Sequence, residues 1–265
     1  MFIDTPSRPM IRGRVFPIKE PGSYAVAPPG GLEQRLSHLG PRQPADVSDF
    51  GRCHLPRSST FYASFSEETV LEELRPSPGD LVYLLYCRPK SGESFKSTTI
   101  GEIDHVRRTG DGSIFPRSNP FIHKVIEWLT NLSTEDHYAR LVVDAFLADF
   151  IRRPCSCQSD YRAVSALAGV LLETSADYSG KFEALYYPSI AFRGGHNIAL
   201  SYECYSAKVE AYEAKILHVV NHFGYGIYRS RVVARSNNID KEADKISWTA
   251  TSREVLQSFP RIDIR

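Results

Sequence analysis

Two pairs of side chains in this sequence have a spacing suited to metal binding. Cys155 and Cys157 form a Cys-Ser-Cys pair, which fits half of a metal site or a redox pair, and His218 and His222 flank Val220 in an alternating stretch. A structural zinc site needs four ligands, usually as two spaced pairs, and no second pair completes either one. We therefore expect no metal, and interpret the histidines as solvated side chains on one strand face.

The usual sequence motifs for catalysis are missing. The chain has no G-x-S-x-G nucleophile elbow, no G-x-x-x-x-G-K-[ST] phosphate loop, no H-E-x-x-H metal motif and no G-x-G-x-x-G dinucleotide loop. Gly194-Gly195 is too short to represent one of them. Residue types and spacing alone therefore predict a soluble α+β domain and identify no reaction.

The elements that would position a site follow the order strands, helices, strands. Alternating or continuous apolar stretches predict strands at 59–64, 81–87, 185–187, 198–202 and within 208–235. Helical spacing of apolar residues, with caps such as Ser66, predicts helices at 31–39, 67–74, 121–132, 135–151 and 160–173. The polar stretch 89–118 predicts mostly loop. This order favours a mixed α+β fold with a helical middle segment over regular βαβ winding.

Composition narrows the class of protein. The chain has 265 residues, 42% of them hydrophobic and 24% charged, with a net charge of +1. A neutral chain is not built to hold a phosphate backbone, so we expect no nucleic-acid partner. No apolar run is long enough to cross a bilayer and no secretory signal is evident. We therefore expect no membrane contact and a cytoplasmic protein, or one exported by a route that the sequence does not show. Five cysteines argue against a disulfide framework.

One segment, GRCHLPRSSTFYASFSEETVLEELRP at 51–76, carries a recognisable pattern. It resembles the signature of the RES-domain family, which is named for an Arg, a Glu and a Ser. The residues on motif positions, without a gap, are Arg52, Tyr62, Thr69, Glu73 and the closing Arg75-Pro76. His54 replaces the usual Asn and Arg57 the usual Gly, and because Arg adopts positive φ only at a cost, we expect the loop after Arg52 to be reshaped.

Two further segments resemble the family in the same order. Upstream, Ile11-Arg12-Gly13-Arg14 is similar to its early aromatic-Arg-x-Arg strand, with Arg12 on the first Arg and Arg14 as the fallback. Downstream, Tyr187-Pro188-Ser189 followed by Gly194-Gly195-His196-Asn197 is similar to its Tyr-Pro-Ser…Gly-Gly-x-Asn segment. The resemblance spans roughly 10–205 of a single expected domain, 1–265, and leaves the strands and tail of 206–265 without a family role.

The resemblance implies a twisted β-sheet related to ADP-ribosyltransferases and a cleft for NAD⁺, which is a substrate rather than a resident cofactor. It implies an enzyme that degrades NAD⁺ by hydrolysis or phosphorolysis, often as a toxin. The implied partners are NAD⁺, inorganic phosphate, an antitoxin protein and a second copy of the chain. Two alternatives stay open: transfer of ADP-ribose to a protein, and a degenerate module that binds NAD⁺ without turnover.

The resemblance also assigns roles to individual residues. Glu73 is the catalytic carboxylate that stabilises an oxocarbenium-like ribose, and Ser189 hydrogen-bonds the ribose or that carboxylate. Arg12 and Arg52 match the pyrophosphate by fork geometry and permanent charge. Tyr62 stacks on nicotinamide or ribose, and Asn197 binds the carboxamide or a phosphate. These residues also have ordinary structural interpretations. Glu73 fits an exposed carboxylate on a helix, and Arg12 and Arg52 fit solvated surface arginines. Tyr62 fits a half-buried strand residue, and Asn197 fits a turn residue.

Overall fold

The computed structural model describes residues 9–16, 35–131, 133–173, 181–251 and 256–257. Within them the α-helices are α1 Leu36–Leu39, α2 Glu67–Leu74, α3 Glu102–Thr109, α4 Pro120–Thr130, α5 Glu135–Ile151, α6 Gln158–Glu173 and α7 Tyr202–Lys208. The strands are β1 Met10–Phe16, β2 Thr60–Ser64, β3 Leu81–Pro89, β4 Ser97–Thr99, β5 Ala184–Pro188, β6 His196–Ser201, β7 Val209–His222, β8 Tyr228–Ser236, β9 Ile239–Asp240, β10 Lys245–Ile246, β11 Thr249–Ala250 and β12 Leu256–Gln257. The predicted mixed α+β class and helical middle segment are confirmed.

The chain divides into two compact units, each assembled from separated stretches. The described part of the first unit comprises 43–62, 91–131, 133–173 and 181–208. The described part of the second comprises 9–16, 35–42, 63–90, 209–251 and 256–257. The segment from 206 onward, which has no role by resemblance, supplies β7 and β8 of the second unit.

An antiparallel sheet in the order β11-β8-β7-β3-β1 forms the second unit. Its central strand β3 is the continuous apolar run LVYLLYC, and all seven of those residues are buried. Side chains on a strand point alternately to the two faces, so the paired residues Gly13 and Leu84 lie on one face and Arg12 and Leu85 on the other. Helix α2 packs on the Gly13 face.

Helix α2 begins and ends where the sequence predicts. The Ser66 hydroxyl accepts a hydrogen bond from the Thr69 amide at 3.2 Å, and Arg75 ends the helix in the left-handed conformation. Its buried Val70 lies in one apolar cluster with sheet residues such as Val82 and Leu217. The close approach depends on Gly13, because a Cβ there would lie 2.4 Å from Val70 Cγ1.

The first unit contains a mixed sheet covered by helices. Strand β5 pairs antiparallel with β6 and parallel with β4. Helices α5 and α6 bury Ile151 and Ala168 against Leu185 of β5 and Ala199 of β6. Helix α5 starts at the Thr134 cap with Glu135 and Asp136 in its first turn, which stabilises a helix N-terminus.

Residues 89–118 are mostly loop, as predicted, but they also contain β4 and α3. The polar composition conceals α3 because buried carboxylates hold this helix rather than an apolar stripe. One expectation about secondary structure was wrong. His218 and His222 do not share a face of β7, because the register with β8 shifts between Val219 and Asn221. A bulge of this kind adds one residue and reverses the alternation. The part of the predicted helix at 31–34 lies outside the described residues.

Candidate functional site

A tight turn holds the first part of the 51–76 motif. Gly51 donates its amide to the His54 carbonyl at 3.0 Å, and a Cβ at Gly51 would lie 2.1 Å from the His54 ring, so the turn requires glycine. The Tyr62 hydroxyl accepts a hydrogen bond from the Cys53 amide at 2.6 Å and lies 2.9 Å from His54 Nδ1. The Tyr62 hydroxyl therefore holds the turn in place. His54, which stands where the motif has Asn, makes a polar contact with the same hydroxyl.

The loop after this turn keeps a glycine-like backbone although its residue is arginine. Arg57 has φ 61°, in the left-handed region that favours glycine. Its amide donates to the Val47 carbonyl at 2.8 Å, and the Ser58 hydroxyl bridges the Leu55 amide and carbonyl at 2.9 and 2.8 Å. These hydrogen bonds hold Arg57 in a conformation that a glycine would adopt freely.

Arg52 contacts the end of a helix. Its Nη1 donates to the carbonyl of Ile151 and, at 3.2 Å, to the carbonyl of Arg153, where α5 terminates. Its guanidinium carbon lies 5.7 Å from the centre of the Tyr161 ring. A cation at a helix C-terminus satisfies carbonyls that have no partner within the helix. Both of these hydrogen bonds come from Nη1, so an anion would contact Nε and Nη2.

Ser189 and Asn197 are buried near the ends of β5 and β6. The Ser189 hydroxyl accepts from the Phe192 amide at 3.0 Å, and the Ser189 amide donates to Gly195 at 2.8 Å, which closes the loop between the strands. Asn197 pairs across the sheet with Tyr187. Tyr187 and Tyr62 belong to the same apolar cluster, so the first unit places Asn197 and Tyr62 on one sheet face.

Arg12 and Arg14 of the second unit also end a helix. Arg12 Nε donates to the Leu39 carbonyl at 2.9 Å and Arg14 Nη2 to the Gly40 carbonyl at 3.1 Å, at the C-terminus of α1. Burial and the nearby Arg42 lower the pKa of Arg14. Both side chains leave the sheet on the face opposite α2, since Gly13 between them faces α2. Arg12, Arg14 and Arg52 thus all donate hydrogen bonds to carbonyls at helix ends.

Glu73 lies on α2 and is exposed to solvent. Thr69, one turn earlier, is buried, and Val70 and Leu74 turn toward the sheet. Arg12 projects from the other face of that sheet, so Arg12 and Glu73 lie on opposite sides of the sheet in the second unit. Arg52, Tyr62, Ser189 and Asn197 belong to the first unit.

A polar cluster that the sequence did not reveal surrounds the start of α2. The Tyr86 hydroxyl donates to Glu67, and Lys215 Nζ lies 3.1 Å from Glu67 Oε1, 3.7 Å from Glu213 Oε1 and 4.4 Å from the centre of the Tyr86 ring. Burial and the Glu67 carboxylate raise the pKa of Tyr86. The local sequence gives no signal for this cluster, because Glu213 and Lys215 are residue types that commonly lie on the solvated face of a strand.

A second cluster lies near the end of α2. The His222 ring stacks on Tyr228 with centroids 4.2 Å apart, and His222 Nε2 lies 3.7 Å from Glu72 Oε1. Burial, followed by the Glu72 carboxylate, raises the pKa of Tyr228 to about 12. Within the described residues, the Tyr228 hydroxyl and Glu72 Oε1 are buried without a hydrogen bond of normal geometry. The carboxylate therefore acts on the hydroxyl through its charge and proximity.

Comparison with known family models, curated proteins and solved structures finds no match for this chain. Over the described ranges, no group of three or more His, Cys, Asp or Glu side chains is arranged to hold a metal ion. None of the helices in those ranges combines the length and apolarity needed to cross a membrane. The RES-domain resemblance therefore depends on the three motif segments and on the geometry that they adopt.

Proposed function

We propose that this chain cleaves the nicotinamide–ribose bond of NAD⁺, as a glycohydrolase or phosphorylase with an ADP-ribosyltransferase-like sheet. The observation that supports the proposal most is the left-handed backbone of Arg57, at φ 61°. The motif has glycine at this position, and glycine is the residue that adopts positive φ most readily. This agreement supports the register of residues 51–76, on which the roles of Arg52, Tyr62 and Glu73 depend.

The proposed reaction breaks the bond between ribose C1 and the nicotinamide nitrogen. The bonding electron pair leaves with nicotinamide, so the ribose becomes oxocarbenium-like, and the Glu73 carboxylate stabilises this positive charge. Water then adds to C1 and releases its proton to solvent, which gives ADP-ribose. If a phosphate oxygen adds instead, the product is ADP-ribose 1″-phosphate.

The roles of the other predicted site residues follow from the hydrogen bonds that each side chain already makes. Arg52 binds the pyrophosphate through Nε and Nη2, since Nη1 is occupied by helix carbonyls. Tyr62 offers its ring to nicotinamide or ribose while its hydroxyl is held by the turn. Ser189 and Asn197 bind the ribose and the carboxamide. Arg12 is left out of this set, because it ends α1 on the sheet face away from α2.

The test is to incubate the purified protein with NAD⁺, with and without phosphate, and to follow nicotinamide and the ribose products by NMR. Glu73→Gln removes the proposed charge, and Glu68→Gln is the matched control on the same helix. We expect release by the wild type and the control, and loss of release in Glu73→Gln. Equal release by both variants would remove Glu73 from the reaction.

Two rival functions give different products in the same assay. Covalent label on a protein, from NAD⁺ labelled in the adenylate half, indicates ADP-ribose transfer. Binding of NAD⁺ without release of nicotinamide indicates a degenerate binding module, which the engagement of Arg52 with helix carbonyls favours. If the chain is a toxin, expression of the wild type depletes NAD⁺ and arrests its host, whereas Glu73→Gln permits growth; equal growth of both strains would refute toxicity.

A further inference from the structure

Strands β7 and β8 are joined by the five residues Phe223-Gly224-Tyr225-Gly226-Ile227, which we call the hairpin tip. Two hydrogen bonds close it, each at 2.9 Å: the Phe223 amide donates to the Ile227 carbonyl, and the Ile227 amide donates to the Gly224 carbonyl. The three residues from Gly224 to Gly226 all have positive φ, of 86°, 55° and 78°. The hairpin tip is therefore a turn of defined shape.

All three large apolar side chains of the hairpin tip are exposed. The exposed fraction is 61% for Phe223, 99% for Tyr225 and 45% for Ile227. One exposed apolar side chain is ordinary on a protein surface, but three within five residues form a contiguous apolar patch. Because Tyr225 contacts almost nothing in its own chain, this patch projects from the end of the sheet into solvent.

Tyr225 has a backbone conformation that favours glycine. Its φ of 55° lies in the left-handed region, which a bulky L-residue adopts only at an energetic cost. Side-chain contacts within the protein do not offset this cost, since the ring is almost wholly exposed. Residues held in unfavourable conformations cluster at functional sites. The conformation and exposure of Tyr225 together therefore indicate a contact outside the chain.

Cations flank the hairpin tip on both faces of the sheet. Arg229 is the second residue after the tip, and it is exposed on the face opposite α2, because its neighbour Tyr228 packs in the cluster beneath α2. Exposed Arg75 ends α2 on the other face. Burial and Glu72 raise the pKa of Tyr228 and Arg75 opposes this rise, which places Arg75 at the same end of the sheet.

The carboxylates at this end of the sheet are turned away from the hairpin tip or already engaged. The Glu72 side chain is only 16% exposed and lies 3.7 Å from His222 Nε2. The Asp80 carboxylate accepts a hydrogen bond from the Ser77 amide at 2.8 Å. Exposed Glu73 precedes Arg75 by two residues, a spacing at which side chains on a helix do not face each other. The surface around the tip therefore presents positive charge.

We propose that the hairpin tip docks on an anionic lipid bilayer, with its apolar side chains in the interfacial layer and Arg229 and Arg75 against the headgroups. A tyrosine suits this layer because its ring is apolar while its hydroxyl stays hydrated. Basic side chains beside an apolar anchor add attraction to a negatively charged leaflet. The expectation of no membrane contact came from the lack of a long apolar run, which surface docking does not require. Docking is independent of NAD⁺ cleavage.

Co-sedimentation of the full-length chain with phosphatidylcholine vesicles, with and without phosphatidylserine, tests the docking. Two headgroup-facing arginines should make binding to the serine-containing vesicles about tenfold or more stronger at low salt, and added salt should weaken it. Tyr225→Asn should reduce that binding about tenfold, because it removes the inserted ring. Tyr138→Asn is the matched control: it removes an exposed tyrosine of α5 and should bind like the wild type.

Unfolding cannot explain the expected loss in Tyr225→Asn. Asparagine tolerates the left-handed backbone better than tyrosine, so this variant should be at least as stable as the wild type while it binds vesicles less. Thermal midpoints of all variants, measured in parallel, check this expectation. A tip that served only the fold would show no such separation of stability from binding.

A pair of charge reversals on β8 tests the orientation. Arg229→Glu and Arg235→Glu both reverse an exposed arginine, so they change the net charge equally. Arg235 lies six residues further along the strand, roughly 20 Å away and beyond the screening length of about 10 Å at 0.1 M salt. Arg229→Glu should therefore weaken binding to the anionic vesicles about tenfold or more, and Arg235→Glu should stay within about threefold of the wild type.

Three results would overturn the proposal. The first is a wild type that stays in the supernatant with both kinds of vesicle, which would leave the hairpin tip to a protein partner. The second is binding that Tyr225→Asn leaves unchanged or that Tyr138→Asn weakens equally, since the contact would then lie elsewhere. The third is an equal loss in Arg229→Glu and Arg235→Glu, which would show attraction by net charge alone.

Discussion

Replacement of Arg57 by glycine should stabilise the protein by about 0.5–1 kcal/mol. Arg57 has φ 61°, and a left-handed backbone costs an L-residue roughly 1–2 kcal/mol because of contacts with its Cβ. Glycine removes this cost. Glycine also gives the unfolded chain more conformational freedom, which lowers the free energy of unfolding by about 0.4–1 kcal/mol. The Arg57 side chain is exposed, so its removal costs little.

Thermal unfolding followed by circular dichroism measures this effect. For a chain of this length, the expected change is a rise of about 1–3 °C in the midpoint. Arg57→Ala is the matched control: it removes the same side chain but keeps the Cβ, so its midpoint should stay near that of the wild type. A glycine variant no more stable than the alanine variant would refute the left-handed assignment, and with it the main support for the motif register.

Three further perturbations have defined outcomes. Tyr62→Phe leaves the buried Cys53 amide without an acceptor and should cost about 1–3 kcal/mol in chemical unfolding, whereas no cost would mean that the turn does not need the hydroxyl. Gly13→Ala drives a methyl against Val70 and should cost about 1–3 kcal/mol, measured the same way; an unchanged midpoint would show that α2 is free to move. Burial raises the pKa of Glu102, so its carboxyl stabilises the fold when protonated, and this contribution is lost as pH rises through that raised pKa. Glu102→Gln should therefore flatten the pH dependence of stability on its acid side, and a profile identical to the wild type would contradict this.

Elements whose own residues decide their structure could be predicted from the sequence. Helix α2 was predicted at its observed bounds because a Ser66 cap precedes it and Pro76 follows it. Helix α5 was also predicted at its bounds, from the spacing of apolar residues such as Val142 and Phe146. The prediction that these side chains belong to the core was wrong, because Val142 and Phe146 are exposed. The central strand β3 was evident because a continuous apolar run suits a strand buried on both faces.

Elements held by distant partners could not be predicted. Helix α3 starts where the Asp144 carboxylate accepts the amides of Gly101 and Asp104, each at 2.9 Å, and no local pattern indicates this contact. The bulge in β7 could not be predicted either, because one added residue does not change the composition of the strand.

The candidate site shows the same limit. Sequence motifs give residue types, but they do not give the direction of a side chain. Arg12 and Arg52 were predicted as phosphate ligands, and the sequence did not indicate that each donates a hydrogen bond to a carbonyl at a helix end. The clusters around Lys215 and Tyr228 depend on strands that meet only in the folded chain, so nothing in their local sequence predicts them.

The most direct test of NAD⁺ cleavage is the rate of nicotinamide release by the wild type, Glu73→Gln and Glu68→Gln at matched concentration. Loss of one group that stabilises transition-state charge slows a reaction by about 10²–10³-fold. We predict a loss of this size in Glu73→Gln and a wild-type rate in Glu68→Gln. A wild-type rate in Glu73→Gln would contradict the role of Glu73, and the absence of release by the wild-type protein, with or without phosphate, would contradict NAD⁺ cleavage itself.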